Sequence, residues 1–589
     1  MRTLALALVA ALAPAPPPAP MRVVDVAQVR QVPETRISAD GRHVAFIVNE
    51  PSVADNTTKS RLMIDGRTVT TVDRATGIQW GPNNDLTFTA ALDGADEIWS
   101  VPVTGGTPRK LFASPVPAVP IGGQRLPFYN AYTPPHNAKV LQYAWSHDGR
   151  RLVFVTPQLT PPPSHGVVYD EKTLGAQSYT AGIYGTPRAG IWTYDVTTRQ
   201  TKHLYDMDLG AQGSLGPAVQ WSPKDERVET NFRGKTVVLD ARSGQVLDVP
   251  PTEPPRPPQL PTTDTFTAWS VAGQRASAVR ENYTTAPRVV LVDAQNVRDV
   301  YNPNPVYAVQ APVPTEWTDV HGHKATGYQI VPPACEHTRC PAVVITHGGD
   351  ARANRFMWDG FEWEFPSQVF AAKGYVVLAV SEAQLPPSPP GDWPATLRDL
   401  LDPVLMAEAA VKSGVDAGHV DPARVGIAGY SRGAEVAELA ISHSTVFKAA
   451  SVAEGGSGTV GYWMLGAQNP YAAEGAKQTF GGSPVDPQAA EHWRDFAADL
   501  RADQINTPLL IQAAENNSLA NLELRSYLRA RDVPVELVSY PDETHIFHQV
   551  GDRVAAMNRS LDWFDYWLLD RKNPGHDDQY ARWDTTKTD

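Results

Sequence analysis

The sequence predicts two architectures in one chain: an N-terminal β-propeller and a C-terminal three-layer α/β domain with a mostly parallel sheet. Three observations carry this. A strand-turn-strand plan recurs through the first three hundred residues. Apolar strands then alternate with helical patterns to residue 571. At 589 residues the chain is also too long for one core, which makes two domains the natural prior.

The chain opens "MRTLALALVAALAPAPPPAP", where Arg2 precedes an apolar run over 4–13 with Ala-x-Ala patterns at its end. This reads as a secretory signal, too short to span a bilayer as a mature helix. Residues 1–20 are therefore expected to be a signal peptide and Pro-rich leader, and the mature protein to be periplasmic or secreted. No other run of about 18 apolar residues appears, so no membrane partner is expected. A formal charge of −13 argues against nucleic acid and anionic membrane surfaces, which call for a basic patch.

The repeat occupies 21–310. "ISADGRHVAFIV", "IQWGPNNDLTFTA", "YAWSHDGRRLVFV" and "VQWSPKDERVETNF" each lead a polar turn into an apolar strand. A second strand type follows, as in "EIWSVPVTGG", "GIWTYDVTT", "TVVLDARSG" and "RVVLVDAQN". Four-stranded units of about 40 to 45 residues predict a propeller of about seven blades. The Pro-rich "DVPPTEPPRPPQLP" is expected to be a surface loop between blades.

The texture changes at "CPAVVITHGGDA". "GYVVLAVS", "ARVGIAGY", "FKAASVAEGG", "PLLIQAAE" and "VPVELVSYP" read as strands. "LRDLLDPVLMAEAAVKSG" and "RVAAMNRSLDWFDYWLLD" read as helices. Continuous apolar strands between helices indicate a sheet covered on both faces. The domain is expected over 311–571, followed by a polar tail, 572–589, lying loosely on the surface. Cys335 and Cys340, in "PPACEHTRCPA", are close enough for a disulfide in an exported protein. The alternative, a metal cluster with His337, lacks a fourth ligand. No metal and no cofactor is expected.

The chemistry centres on "GIAGYSRGAEV". Gly429-Tyr430-Ser431-Arg432-Gly433 is a GxSxG elbow with an apolar strand before it and a helix pattern after it, the context in which a serine nucleophile projects above a sheet. This makes the second domain an α/β-hydrolase, with Ser431 as nucleophile. The base should follow a late strand, and "VPVELVSYPDETHIF" supplies His545; His548 lies three residues on and reads as a local surface residue. The acid belongs in the loop after "PLLIQAA", which holds Glu515, Asn516 and Asn517 and no aspartate. Glu515 carries the charge needed beside an imidazolium; Asp542 and Glu543 are rivals. The backbone N–H of Arg432 is one expected oxyanion donor. His347, in "THGGD", would donate a second or shape that loop.

With these residues in place, the chain resembles the prolyl oligopeptidase family of serine peptidases, a propeller capping an α/β-hydrolase domain. That family usually has an aspartate where Asn516 stands and often a tyrosine where His347 stands. No paired-glutamate helix for gripping a free amino terminus is seen in the propeller region. A narrower resemblance is to its lasso-peptide isopeptidase branch, which uses a Ser-Glu-His triad. It rests on "LLIQAAE", the "PDETH" turn, "LDWFDYWL", "GYSRGAEVA" and "VAFIVNEPSVADNT". The resemblance implies hydrolysis of the isopeptide bond between a lasso peptide's N-terminal amine and an Asp or Glu side chain, with a peptide as partner. A general exported oligopeptidase or dipeptidyl peptidase, an esterase, and a catalytically silent peptide-binding module stay open on sequence alone.

Overall fold

The structure is a computed structural model. It describes residues 19–584 apart from 122–135, 161–183, 209–217, 233–234, 254, 295, 347–353, 357–364, 382–392, 457, 459–462, 464–476, 478–479, 515–517 and 519–520.

Each quoted turn of the repeat lies in one sheet, and in three of the four a serine does the work of a backbone turn. Ser146 Oγ donates to Asp148 and to the Arg151 carbonyl and accepts the Arg151 N–H. Ser38 and Ser222 accept the N–H groups of His43 and Arg227 in the same way. Such side-chain turns close the hairpin and set its register. Among the described residues there are five four-stranded antiparallel sheets, each of consecutive strands, over 31–72, 76–110, 142–208, 218–247 and 265–301. About seven blades were expected, and the described residues hold these five. Among the described residues, 111–141 holds a two-stranded pair, Val119–Ile121 with His136–Ala138, and 248–264 holds no strand. That second stretch is the Pro-rich loop, which does lie between the fourth and fifth blades.

Apolar clusters join blade one to two, two to three and three to four. Another joins blade five back to blade one, where Thr35 Oγ1 donates to the Ala268 carbonyl at 2.7 Å. The ring therefore closes by packing, with no strand shared between its first and last sheets.

The second domain is one eight-stranded sheet. Its strands are β1 (Val313–Thr318), β2 (Lys324–Ile330), β3 (Cys340–Thr346), β4 (Val376–Val380), β5 (Val420–Tyr430), β6 (Ala449–Ala453), β7 (Leu509–Ala514) and β8 (Val535–Tyr540). The spatial order is β1-β2-β4-β3-β5-β6-β7-β8; all neighbours from β4 onward are parallel. Alternation along β5 feeds both faces. Val425 and Ile427 join one core with Ala437 and Leu439 of the following helix, while Ala428 and Tyr430 join the other with Phe564 and Leu561. Cys335 and Cys340 form a disulfide, which removes both sulfurs from any metal cluster.

Two assignments at the domain edges change. Residues 21–29, read from sequence as propeller, pack in the hydrolase core: Met21, Val23, Val26 and Ala27 are buried with Phe564 and Leu568. The short helix Val23–Ala27 sits on the long helix Val550–Leu569. Where the chain enters and leaves the propeller, Asn304 ties the two passes together. Its Oδ1 accepts the Arg30 N–H at 2.8 Å and its Nδ2 donates to the Arg30 carbonyl at 2.9 Å. The tail is not loose either, for a helix, Asp577–Asp584, buries Tyr580 and Trp583 against Tyr566 and Trp563. Two aromatics three residues apart among acids were too sparse a pattern to stand out.

Candidate active site

Ser431, the expected nucleophile, stands where β5 turns into the helix Arg432–His443. Ser431 has φ 55° and ψ −119°, a backbone conformation that costs energy for a residue with a side chain and is held by what surrounds it. Space around it is minimal. A Cβ on Gly429 would lie 1.9 Å from the Gly433 carbonyl oxygen, and one on Gly455 would lie 2.2 Å from that of Ser431. Glycine at these positions is therefore a steric requirement of the elbow. Arg432 opens the helix, so its backbone N–H belongs to the N-terminal turn, where amides point toward developing negative charge. Its guanidinium turns aside to Glu435 at 2.9 Å.

His545 lies in the loop after β8, and its Nε2 is 3.1 Å from Ser431 Oγ. The ring is buried, 6% exposed, and packs against Tyr430, whose hydroxyl donates to the His545 carbonyl. The same loop is fixed from behind by Glu543, whose oxygens accept the N–H groups of His548 and Gln549 at 2.8 and 2.9 Å. Of the rivals for the acid, Glu543 thus holds the loop. His548 turns its Nδ1 to Glu543 at 2.8 Å, a local pairing as expected.

One carboxylate at the site was not singled out in the sequence. Glu454, one residue past β6, places Oε2 3.4 Å from His545 Nδ1. It has φ 53°, is 2% exposed, and accepts the Ala514 N–H on Oε1. Burial pushes its carboxyl above the usual range, and His545 beside it pulls the other way. Glu454 ends "FKAASVAEGG", where a charged residue closing an apolar strand reads as the strand's exposed end. Only the glycine pair after it, typical of a tight turn, hinted at a buried position. Glu515 and His347 lie outside the described residues. Ala514, which precedes Glu515, is the last residue of β7.

Residues 402–571 match the model of the prolyl oligopeptidase family. This stretch, from the helix before the Ser431 elbow to the end of helix Val550–Leu569, is what the chain shares with that family's model. The lasso peptide isopeptidase AtxE2 of Asticcacaulis excentricus is 30% identical over 276 residues, 43% of this chain and 37% of that one. Dipeptidyl-peptidase 5 of Porphyromonas endodontalis is 26% identical over 242 residues, 39% of this chain and 33% of that protein. These matches span little more than a third of each relative's length. Similarity of fold extends much further. The solved structure of AtxE2 superposes with a TM-score of 0.70 at 17% identity, covering 97% of this chain and 99% of that one. The acylaminoacyl peptidase of Pyrococcus horikoshii does so with a TM-score of 0.68 at 13% identity, covering 95% and 99%. The propeller-plus-hydrolase architecture is thus shared by this chain and both solved structures.

Proposed function

We propose that this protein is an exported serine isopeptidase that opens the macrolactam ring of a lasso peptide through an acyl-enzyme. The observation that carries the chemistry is the 3.1 Å approach of His545 Nε2 to Ser431 Oγ at a strained elbow. The substrate class rests on the likeness to AtxE2, of which one solved structure holds Astexin3-dC4. The leader at 1–20 supports export to the periplasm or beyond.

In this reading Ser431 Oγ attacks the side-chain carbonyl carbon of the isopeptide bond while its proton passes to His545 Nε2. The Arg432 N–H, with a second donor from the His347 loop, takes the charge forming on the carbonyl oxygen. Glu515 is assigned as triad acid, at the end of the strand whose last amide Glu454 holds. As the C–N bond breaks, His545 returns the proton to the leaving N-terminal amine. Water then attacks the acyl-enzyme with His545 again as base, and a linear peptide with a free carboxylate leaves.

Mass spectrometry of the enzyme with a threaded lasso, its unthreaded branched isomer and linear peptides tests this. The expected product is the linear peptide, heavier by one water, formed faster from the threaded form because a preorganised ligand loses less entropy on binding. Release of dipeptides with every lasso left intact would replace this reading with that of a general exported peptidase, the reading favoured by the match to dipeptidyl-peptidase 5.

A further inference from the structure

We propose that Glu454 is a second carboxylate partner of His545, a positioning residue that grips the catalytic imidazole from the end of β6 and the triad-acid strand from the same side chain. This rests on the serine-hydrolase reading above. The geometry is specific. Oε1 takes the Ala514 N–H, at the end of the strand that leads into Glu515, and Oε2 faces His545 Nδ1 at 3.4 Å. Oε2 has no hydrogen-bond partner among the described residues, although it is sealed from water. A buried carboxylate oxygen that lacks a hydrogen bond is costly, so its retention against an imidazole calls for a reason.

The reason is the charge that appears during turnover. When His545 accepts the Ser431 proton it becomes an imidazolium, and the carboxylate 3.4 Å away, poorly solvated by its burial, gains most from that neighbour. No proton moves to Glu454. The Nδ1–H stays on the ring and is drawn toward Oε2. The left-handed backbone at Glu454 turns its side chain back over the sheet edge to reach both partners, and the Glu454 N–H is held by the Gln512 carbonyl at 3.1 Å. One side chain therefore sets the spacing between the acid-bearing strand and the base.

The groups facing this pair are few. Among the described residues Tyr430 ends β5, Ser431 follows it in the elbow and Glu543 lies in the histidine's own loop; Glu515 is expected from the loop after β7. Substituting Glu454 by glutamine keeps an oxygen for Ala514 but offers Nδ1 an amide donor or a neutral oxygen. Both outcomes weaken the imidazolium, and the first favours the tautomer with its proton on Nε2, useless as a base.

The test is the rate of Ser431 labelling by a fluorophosphonate across pH, in the full chain and in its Glu454→Gln, Glu454→Asp and Glu515→Gln variants. For Glu454→Gln we expect labelling about tenfold slower at neutral pH and an acid limb moved to lower pH, with Tm within a few degrees of the parent. The loss is smaller than the roughly 10⁴ seen when a sole acid is neutralised, because a second carboxylate remains. Glu454→Asp should recover part of the rate and the parent's acid limb. A Glu454→Gln variant with the parent's rate and profile would overturn the proposal and leave Glu454 a strand anchor. Should Glu454→Gln fail to fold, Glu454→Asp with parental rate and profile despite its shorter reach would overturn it equally. Absence of labelling in the parent itself would instead sink the serine-hydrolase reading.

Discussion

Asn56, at the tip of a hairpin in the first blade, accepts the backbone N–H of Gly551 in the hydrolase domain at 2.6 Å. Its Nδ2 also donates to Gln549 Oε1 at 3.1 Å. Gly551 opens the long helix directly after the His545 loop, so a propeller residue caps the helix that ends the catalytic loop. Glu543 holds the two amides just before it. The His545 loop is thus held from both domains. Replacing Asn56 by alanine should cost about 1 kcal/mol, the usual value of a helix cap. It should also slow Ser431 labelling several-fold, while Asn56→Asp keeps most of the rate. Thermal unfolding and labelling kinetics check both.

A second inter-domain anchor ties the fifth blade to the segment after β3. Glu281 in the fifth blade, 1% exposed, accepts from Arg355 at 2.7 Å and from the Phe356 N–H at 3.2 Å. Arg355→Ala leaves that carboxylate buried with one charge partner fewer. It should destabilise by about 1–3 kcal/mol. Glu281→Gln, which keeps an acceptor for the amide, should cost less than Arg355→Ala; the order of the two Tm values decides.

Ser431→Ala should abolish covalent labelling and leave Tm unchanged or raised, since alanine removes a hydroxyl and no packing. Labelling that persists in the variant would place the nucleophile elsewhere.

Asp552 predicts a pH signature of stability. Burial first, then the nearby Glu543 carboxylate, pushes its carboxyl up to about 6 from an ordinary 3.8. The folded state therefore binds more protons than the unfolded state between those values. By linkage, the contribution of this group to stability falls as pH rises from about 4 through 6 and stays lost above. Asp552→Asn should raise Tm more at pH 7.5 than at pH 4.5, as thermal melts at the two values would show.

Much of this was legible in the chain because the signals were local. The elbow needs glycines one turn apart, the parallel sheet needs uninterrupted apolar strands, and His545 follows its strand within five residues. Each is written in a short window. Glu454 was not legible, because its meaning depends on two strands β6 and β7 meeting the loop after β8. Nothing in "SVAEGG" states which loop will lie above it. Blade number is less legible, since chain length does not map directly onto strands. The tail helix was hidden because Tyr580 and Trp583 bury their faces on Tyr566 and Trp563, partners in another helix.

The packing of helix Val23–Ala27 on helix Val550–Leu569, with Asn304 stapling the chain at Arg30, has a consequence for the order of assembly. The propeller is an excursion inserted within the hydrolase unit. One of the first segments to be synthesised finds its seat only when one of the last is complete. The five blades can form from neighbouring strands as they emerge, since every sheet uses consecutive ones. Helix Val550–Leu569 keeps part of its apolar face uncovered until the opening helix packs on it. Closing so long a loop costs little more than closing one of half its length, so the penalty is in time rather than in stability. During that interval the uncovered face of helix Val550–Leu569 is apolar surface open to non-native association.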